Sequence, residues 1–254
     1  MITKEPAIAA NELGHAREPG LYGPIAICVA LLVLCAAVFY WVPGLDLAVS
    51  GWFYAPGRGF PLDKTLPLEV IRKTGIAITS ATIVGLLAIG LWWRIRPTAL
   101  KQWASETPWS DWLFLSASMA LGPGILVNLV MKPIWGRARP RHVEQFGGTD
   151  HFSAAWVISD QCKWGCSFVS GEAAATCLLL AFCFVVPRQW RLAMLVTGCL
   201  LTLAISMARI AVGGHFLSDV VTAWLLTMLV VLVLHAQIYH GALLGPLRRW
   251  WPAP

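Results

Sequence analysis

Eight residues, Pro140 aside, stand out for what their types and spacing could do. Lys132 is followed after six residues by Arg139-Pro140, then come Ser170-Gly171-Glu172, and finally Arg209 with His215 and Asp219 behind it. Arg139 and Arg209 can pair bidentately with phosphate oxygens while Lys132 adds a point charge. Ser170 and Gly171 precede an apolar run, where the free N–H groups of a helix start favour an anion. His215 and Asp219 lie four apart, so on a helical turn they share a face. The carboxylate can then fix the imidazole tautomer and leave a neutral ring nitrogen to attack phosphorus.

Each signal has a plainer reading. A basic run at a helix end is commonly a topogenic or solvated flank, and Arg137 and Arg141 are read that way. A lone histidine near a helix start is commonly a satisfied interfacial residue, and Ser-Gly in a membrane helix is commonly a packing contact. The ordered occurrence of all the groups favours chemistry over those readings. His15 and His235 keep the plainer one.

The chain that must position these groups is 57% hydrophobic and 13% charged over 254 residues, against about 25% charged in soluble domains. That composition describes an all-α, polytopic membrane protein. Six apolar runs, uncharged but for Glu172, approach the ~20 residues that cross a hydrocarbon core: 21–42, 74–93, 112–131, 167–187, 192–208 and 220–239. They predict a six-helix transmembrane bundle forming one membrane-embedded domain over 21–254, preceded by a disordered tail over 1–20. The first run is too long for the apolar part of a cleaved signal peptide, about 7 to 15 residues, and is read as retained. Residues 43–73 read as a Gly/Pro/aromatic connector at the interface. Gly122-Pro123-Gly124 predicts a kink in the third run.

Topology brings the motifs together. Lys132 ends the third run, Ser170 begins the fourth after one loop, and the fourth and fifth runs form a hairpin that returns to Arg209. All three clusters therefore emerge on one membrane face. The net charge of +6 is concentrated beside the motifs, which suits an anionic substrate or headgroup; no basic, aromatic-interleaved polar surface suggests nucleic acid. With a cytoplasmic N-terminus, nine Lys and Arg lie inside and ten outside. Setting aside the five beside the motifs leaves nine against five, which favours that orientation.

Of seven cysteines, five sit in apolar runs and read as core residues. Cys162 and Cys166 share the polar loop, without the second Cys/His pair a zinc site needs. In an oxidising compartment they could form a disulfide; the alternative is a pair of reduced thiols.

At these residues the chain resembles the type 2 phosphatidic acid phosphatase family, whose motifs are Lys-x6-Arg-Pro, Pro-Ser-Gly-His and Ser-Arg-x5-His-x3-Asp. The first and third match at full spacing. The resemblance implies that His215 is a nucleophile that becomes phosphorylated, Asp219 its partner, and Lys132, Arg139, Ser170, Gly171 and Arg209 the phosphate ligands, with no metal and no cofactor. Val169 stands where the family has proline and Ala208 where it has serine. Glu172 stands where the family has its general-acid histidine, so Glu172 is the candidate proton donor, with His142 and His151 as reserves. The alternative for Glu172 is an ion pair that orders Arg139 or Arg209.

The segments Cys166 to Glu172, Arg139 to His142 and Gln145 to Gly148 are similar to bacterial members of the lipid A phosphatase type. The expected function is hydrolysis of a lipid phosphomonoester, lipid A foremost, at the periplasmic face of a bacterial inner membrane. Phosphatidylglycerophosphate, phosphatidate and undecaprenyl diphosphate are the other substrates weighed. A reading of another class is a catalytically silent protein that binds or transports lipid phosphates.

Overall fold

The apolar runs are long, charged only at Glu172 and rich in residues that tolerate helix, and in lipid only a helix satisfies their backbone without a partner strand. The computed structural model describes residues 22–63, 65–95 and 109–241, and among them every regular element is helical. The helices are α1 (Tyr22–Trp41), α2 (Gly44–Gly51), α3 (Leu66–Ile95), α4 (Trp109–Met119), α5 (Lys132–Trp135), α6 (Gly171–Cys177), α7 (Arg188–Ala211) and α8 (Leu217–His240). The tail over 1–20 lies outside the described residues.

Among the described residues, five helices are long and apolar enough to cross a membrane. The fourth of the six expected crossings is instead a shorter apolar helix, Gly171–Phe184. Its first half, α6, is α-helical and its second, Leu178–Phe184, is a 3-10 helix. At about 1.5 and 2.0 Å rise per residue those two halves span roughly 24 Å, most of a hydrocarbon core. It starts later than expected because residues 167–169 form bends and Ser170, with an extended backbone, is the N-cap.

Two further expectations gain detail. The connector over 43–73 holds α2 and the first turns of α3, where Glu69 and Lys73 pair at 2.9 Å along the helix and make a charged extension tolerable. At Gly122-Pro123-Gly124 the helix widens into a π-helical segment, Ala120–Met131. Pro123 has no N–H to return, and the side-chain amide of Asn128 donates to its carbonyl at 2.6 Å.

Helix α8 is the hub, packed against α1, α2, α4, α6 and the π segment, while α3 packs against α7, α4 and α6. Small residues make this possible: Ala173, Ala174 and Ala223 are fully buried among Val127, Phe168, Ile210 and Val220. Trp224, well inside its run, donates its indole N–H to Ser206 of α7 at 3.1 Å. A separate core of Phe60, Ala138, Val143, Phe146 and Phe216 sits beneath the loops that cap one end of the bundle. That end holds the motifs.

Candidate active site

The polar loop between α5 and α6 is stitched to the end of α7 and the start of α8 by backbone hydrogen bonds. Arg141 N–H donates to the Gly213 carbonyl and Ser170 N–H to the Asp219 carbonyl, both at 3.1 Å, and Ser167 N–H donates to the Arg137 carbonyl at 2.9 Å. After α7 the chain reverses tightly, so that the N–H groups of Gly214 and His215 both turn back to the Arg209 carbonyl. Gly213, at φ +64° with Phe60 packed against it, allows that reversal.

His215 is 2% exposed. It precedes α8 and does not share a helical face with Asp219, contrary to the expectation from their spacing. The N-cap is Phe216, and Asp219 reaches back to accept its N–H at 2.7 Å. Asp219 Oδ2 also accepts the Ser167 hydroxyl and stands 3.7 Å from His215 Nδ1. Nδ1 itself lies 2.8 Å from the Ser167 carbonyl. A carbonyl can only accept, so Nδ1 carries the ring proton and Nε2 keeps its lone pair. Burial, opposed by the Asp219 carboxylate, pushes the imidazole down to about 4, so at neutral pH the ring is uncharged.

The cations gather nearby. Asn128 Oδ1 and Lys132 Nζ lie 2.8 and 3.0 Å from the point a β-carbon on Gly171 would occupy, so a side chain there would push both groups aside. Arg139 donates from Nε to the Gly165 carbonyl at 2.8 Å, inside the small ring closed by the Cys162–Cys166 disulfide. Arg209 Nε pairs with Glu172 Oε2 at 3.3 Å, and its Nη2 packs against Gly214. Ser170 caps α6 through Ala173 N–H, and its own N–H is taken by Asp219. The backbone donors expected there are thus those of Gly171 and Glu172.

A cavity of about 470 Å³ opens onto this cluster, lined by Arg139, Arg209 and Glu172 together with Arg72 and Glu69 of α3, Asp63 and Arg141. Lys132 and His215 are not in the lining. His151 lies elsewhere, paired with Glu144 at 3.1 Å.

Residues 111–241 match the PAP2 superfamily. The chain belongs to the PAP2 superfamily. It is 30% identical over 214 residues to the lipid A 4'-phosphatase of Rhizobium leguminosarum, covering 79% of this chain and 90% of that protein. With the lipid A 4'-phosphatase of Rhizobium etli it shares 37% over 215 residues, covering 79% of this chain and 81% of the relative. Among solved structures, the transmembrane PAP2-type phosphatidylglycerolphosphate phosphatase from Bacillus subtilis has the same fold, with a TM-score of 0.50 at 16% identity over 85% of this chain and 95% of that one.

The structure also brings in residues that spacing alone did not single out. Ser167 touches both His215 and Asp219, Asn128 stands beside Lys132 and Gly171, and Arg137 with Asp46 lies behind Asp219. One signal for Asp46 was present in the chain: it is the only acid in the apolar stretch from Val42 to Ser50, and ionisable residues in such settings are seldom idle.

Proposed function

We propose that this protein is an integral membrane lipid phosphatase that hydrolyses a phosphomonoester of the lipid A type through a phosphohistidine at His215. One observation carries the mechanism: His215, its Nδ1–H held by the Ser167 carbonyl, keeps an unprotonated Nε2 in a buried ring on which the charges of Arg209 and Arg139, both lining the cavity, bear directly. The substrate class is supported by the relatives, lipid A 4'-phosphatases matched over most of their length.

In the proposed reaction Arg139 and Arg209 take phosphate oxygens bidentately, Lys132 and the N–H groups at the start of α6 add to the cradle, and the Ser170 hydroxyl completes it. The Nε2 lone pair forms a bond to phosphorus as the P–O ester bond breaks, and the leaving alkoxide takes up a proton. The imidazolium that results is supported by Asp219. Water then attacks the phosphohistidine, releasing inorganic phosphate and restoring the neutral ring. Glu172 lines the cavity and is the candidate proton donor. Its ion pair with Arg209 favours a second role, that of ordering the guanidinium before substrate arrives.

We place the protein in a bacterial inner membrane with the cavity on the periplasmic side. The Cys162–Cys166 disulfide, at home in an oxidising compartment, and the distribution of basic residues support that orientation. The test is phosphate release by the purified, detergent-solubilised protein from lipid A, phosphatidylglycerophosphate, phosphatidate and undecaprenyl diphosphate. Each is assayed with and without vanadate and EDTA. Turnover that is fastest on lipid A, blocked by vanadate, indifferent to EDTA and absent in His215→Ala is the expected result. No turnover on any substrate would favour a silent binding or transport protein, and loss in EDTA restored by a divalent ion would refute the metal-free mechanism.

A further inference from the structure

Arg137 belongs to the basic run between Lys132 and Arg141, but it is not a solvated flank. It is 1% exposed, the largest fully buried side chain among the described residues. Its Nη1 donates to Asp219 Oδ1 at 2.7 Å and to the Ser218 hydroxyl at 2.8 Å, its Nη2 to Asp46 Oδ2 at 2.8 Å, and its Nε to the Ser153 carbonyl at 2.9 Å. The guanidinium lies over the Phe216 ring, 4.3 Å from its centroid. Asp46, on α2 and fully buried, accepts the Ser218 N–H at 2.9 Å and the Ser218 hydroxyl. None of these groups lines the cavity, so none is placed to touch substrate.

Two features of this cluster ask for an explanation. First, three charges removed from water are a poor way to stabilise a bundle, since apolar side chains of similar volume commonly do as well or better. Second, the charges do not cancel. Burial raises the Asp46 carboxyl, but it accepts from the Arg137 guanidinium, the Ser218 N–H and the Ser218 hydroxyl, a donor set that suits the ionised form. One guanidinium therefore faces two carboxylates, and one net negative charge stands behind an imidazole that is neutral at rest. That imbalance is relieved only when Nε2 bonds to phosphorus while Nδ1 keeps its proton, because the ring then carries a positive charge. A preorganised charge that meets its complement only as the reaction proceeds lowers the barrier without tightening substrate binding.

We propose that Arg137, held by Asp46, is a positioning residue for the reaction. The pair aims the Asp219 carboxylate at His215 and, because Asp46 shares the guanidinium, leaves Asp219 the negative charge that supports the phosphorylated ring. The inference rests on the phosphohistidine reading above and adds two residues to it.

The decisive variant is Asp46→Asn, nearly isosteric and outside the cavity lining, assayed beside wild type and His215→Ala. Inorganic phosphate serves as the ground-state probe, and vanadate, which can bond to Nε2, as the transition-state probe. Expected are a kcat at least tenfold lower with KM within threefold, and vanadate affinity at least tenfold weaker with phosphate affinity within threefold. Arg137→Lys, which keeps the charge but cannot fork between two carboxylates, should show the same split; it carries the test if Asp46→Asn does not fold. A kcat within twofold of wild type, or losses falling equally on phosphate and vanadate, would overturn the proposal and leave the pair as packing. Failure of the phosphatase reading itself looks different: wild type would release no phosphate, and vanadate affinity would be the same with and without His215.

Discussion

Replacing Gly214 with alanine should damage the reaction while sparing the fold. A β-carbon at Gly214 would sit 2.6 Å from Arg209 Nη2, 2.9 Å from its Cζ and 3.2 Å from its backbone oxygen, the last a contact that a small backbone adjustment relieves. Ordinary carbon–nitrogen contact needs about 3.5 Å, so the guanidinium must retreat by about 1 Å. It can do so because it is the end of a flexible side chain that borders an open cavity. A displacement of that size at a positioning group can cost up to about 100-fold. A weakened charge-assisted hydrogen bond of about 1.5 to 3 kcal/mol predicts a similar loss, roughly 10- to 100-fold in kcat/KM. The assay is phosphate release from the preferred lipid phosphate, with thermal unfolding in the same detergent as the control. Gly213→Ala is the contrasting neighbour: at φ +64°, with Phe60 ring atoms as near as 2.6 Å, it should lower stability by at least about 1 to 3 kcal/mol. If Gly214→Ala left kcat/KM unchanged, the Arg209 guanidinium would not be working where the structure holds it. If Gly214→Ala unfolded as readily as Gly213→Ala, the separation of site from fold would be wrong.

Removing Arg139 or Arg209 outright should cost about 3 kcal/mol of transition-state stabilisation or more, at least about 100-fold in kcat/KM, and His215→Ala should abolish turnover; steady-state kinetics check both. Because burial holds His215 down to about 4, protonation removes the nucleophile only below that pH. Once the second ionisation of the substrate near pH 6 is allowed for, the acid limb of kcat/KM should fall near pH 4 rather than at the usual histidine value of about 6.5. If Glu172 donates the proton, Glu172→Gln should slow poor leaving groups far more than good ones and Glu172→His should recover part of the loss; equal slowing of both would assign Glu172 to ordering Arg209. Maleimide should label Cys162 and Cys166 in intact cells only after reduction, and reduction should weaken substrate binding by freeing the Gly165 carbonyl that holds Arg139; labelling without reductant would refute the disulfide.

Much of this protein was legible in its sequence because the determining physics is local or countable. Runs of about 20 uncharged residues must be helices in lipid, and counting their crossings was enough to bring Lys132, Ser170 and Arg209 to one face. Helix ends moved by a few residues, and the fourth crossing proved short, since where a helix stops depends on what its terminal groups can bond. The site is a different matter. His215 and Asp219 are four apart, and periodicity put them on one helical face, yet they meet through the cap at Phe216 because the chain reverses after Ala211. Arg137 looked like one more cation in a basic run, and Asp46 lies 91 residues away from it. A buried ion pair forms only when several helices exclude water together, so no local pattern encodes it. Residue types and spacing determined which groups could hold and attack a phosphate; tertiary packing decided which of them are buried, which carbonyl sets the imidazole tautomer, and which two residues stand behind the carboxylate.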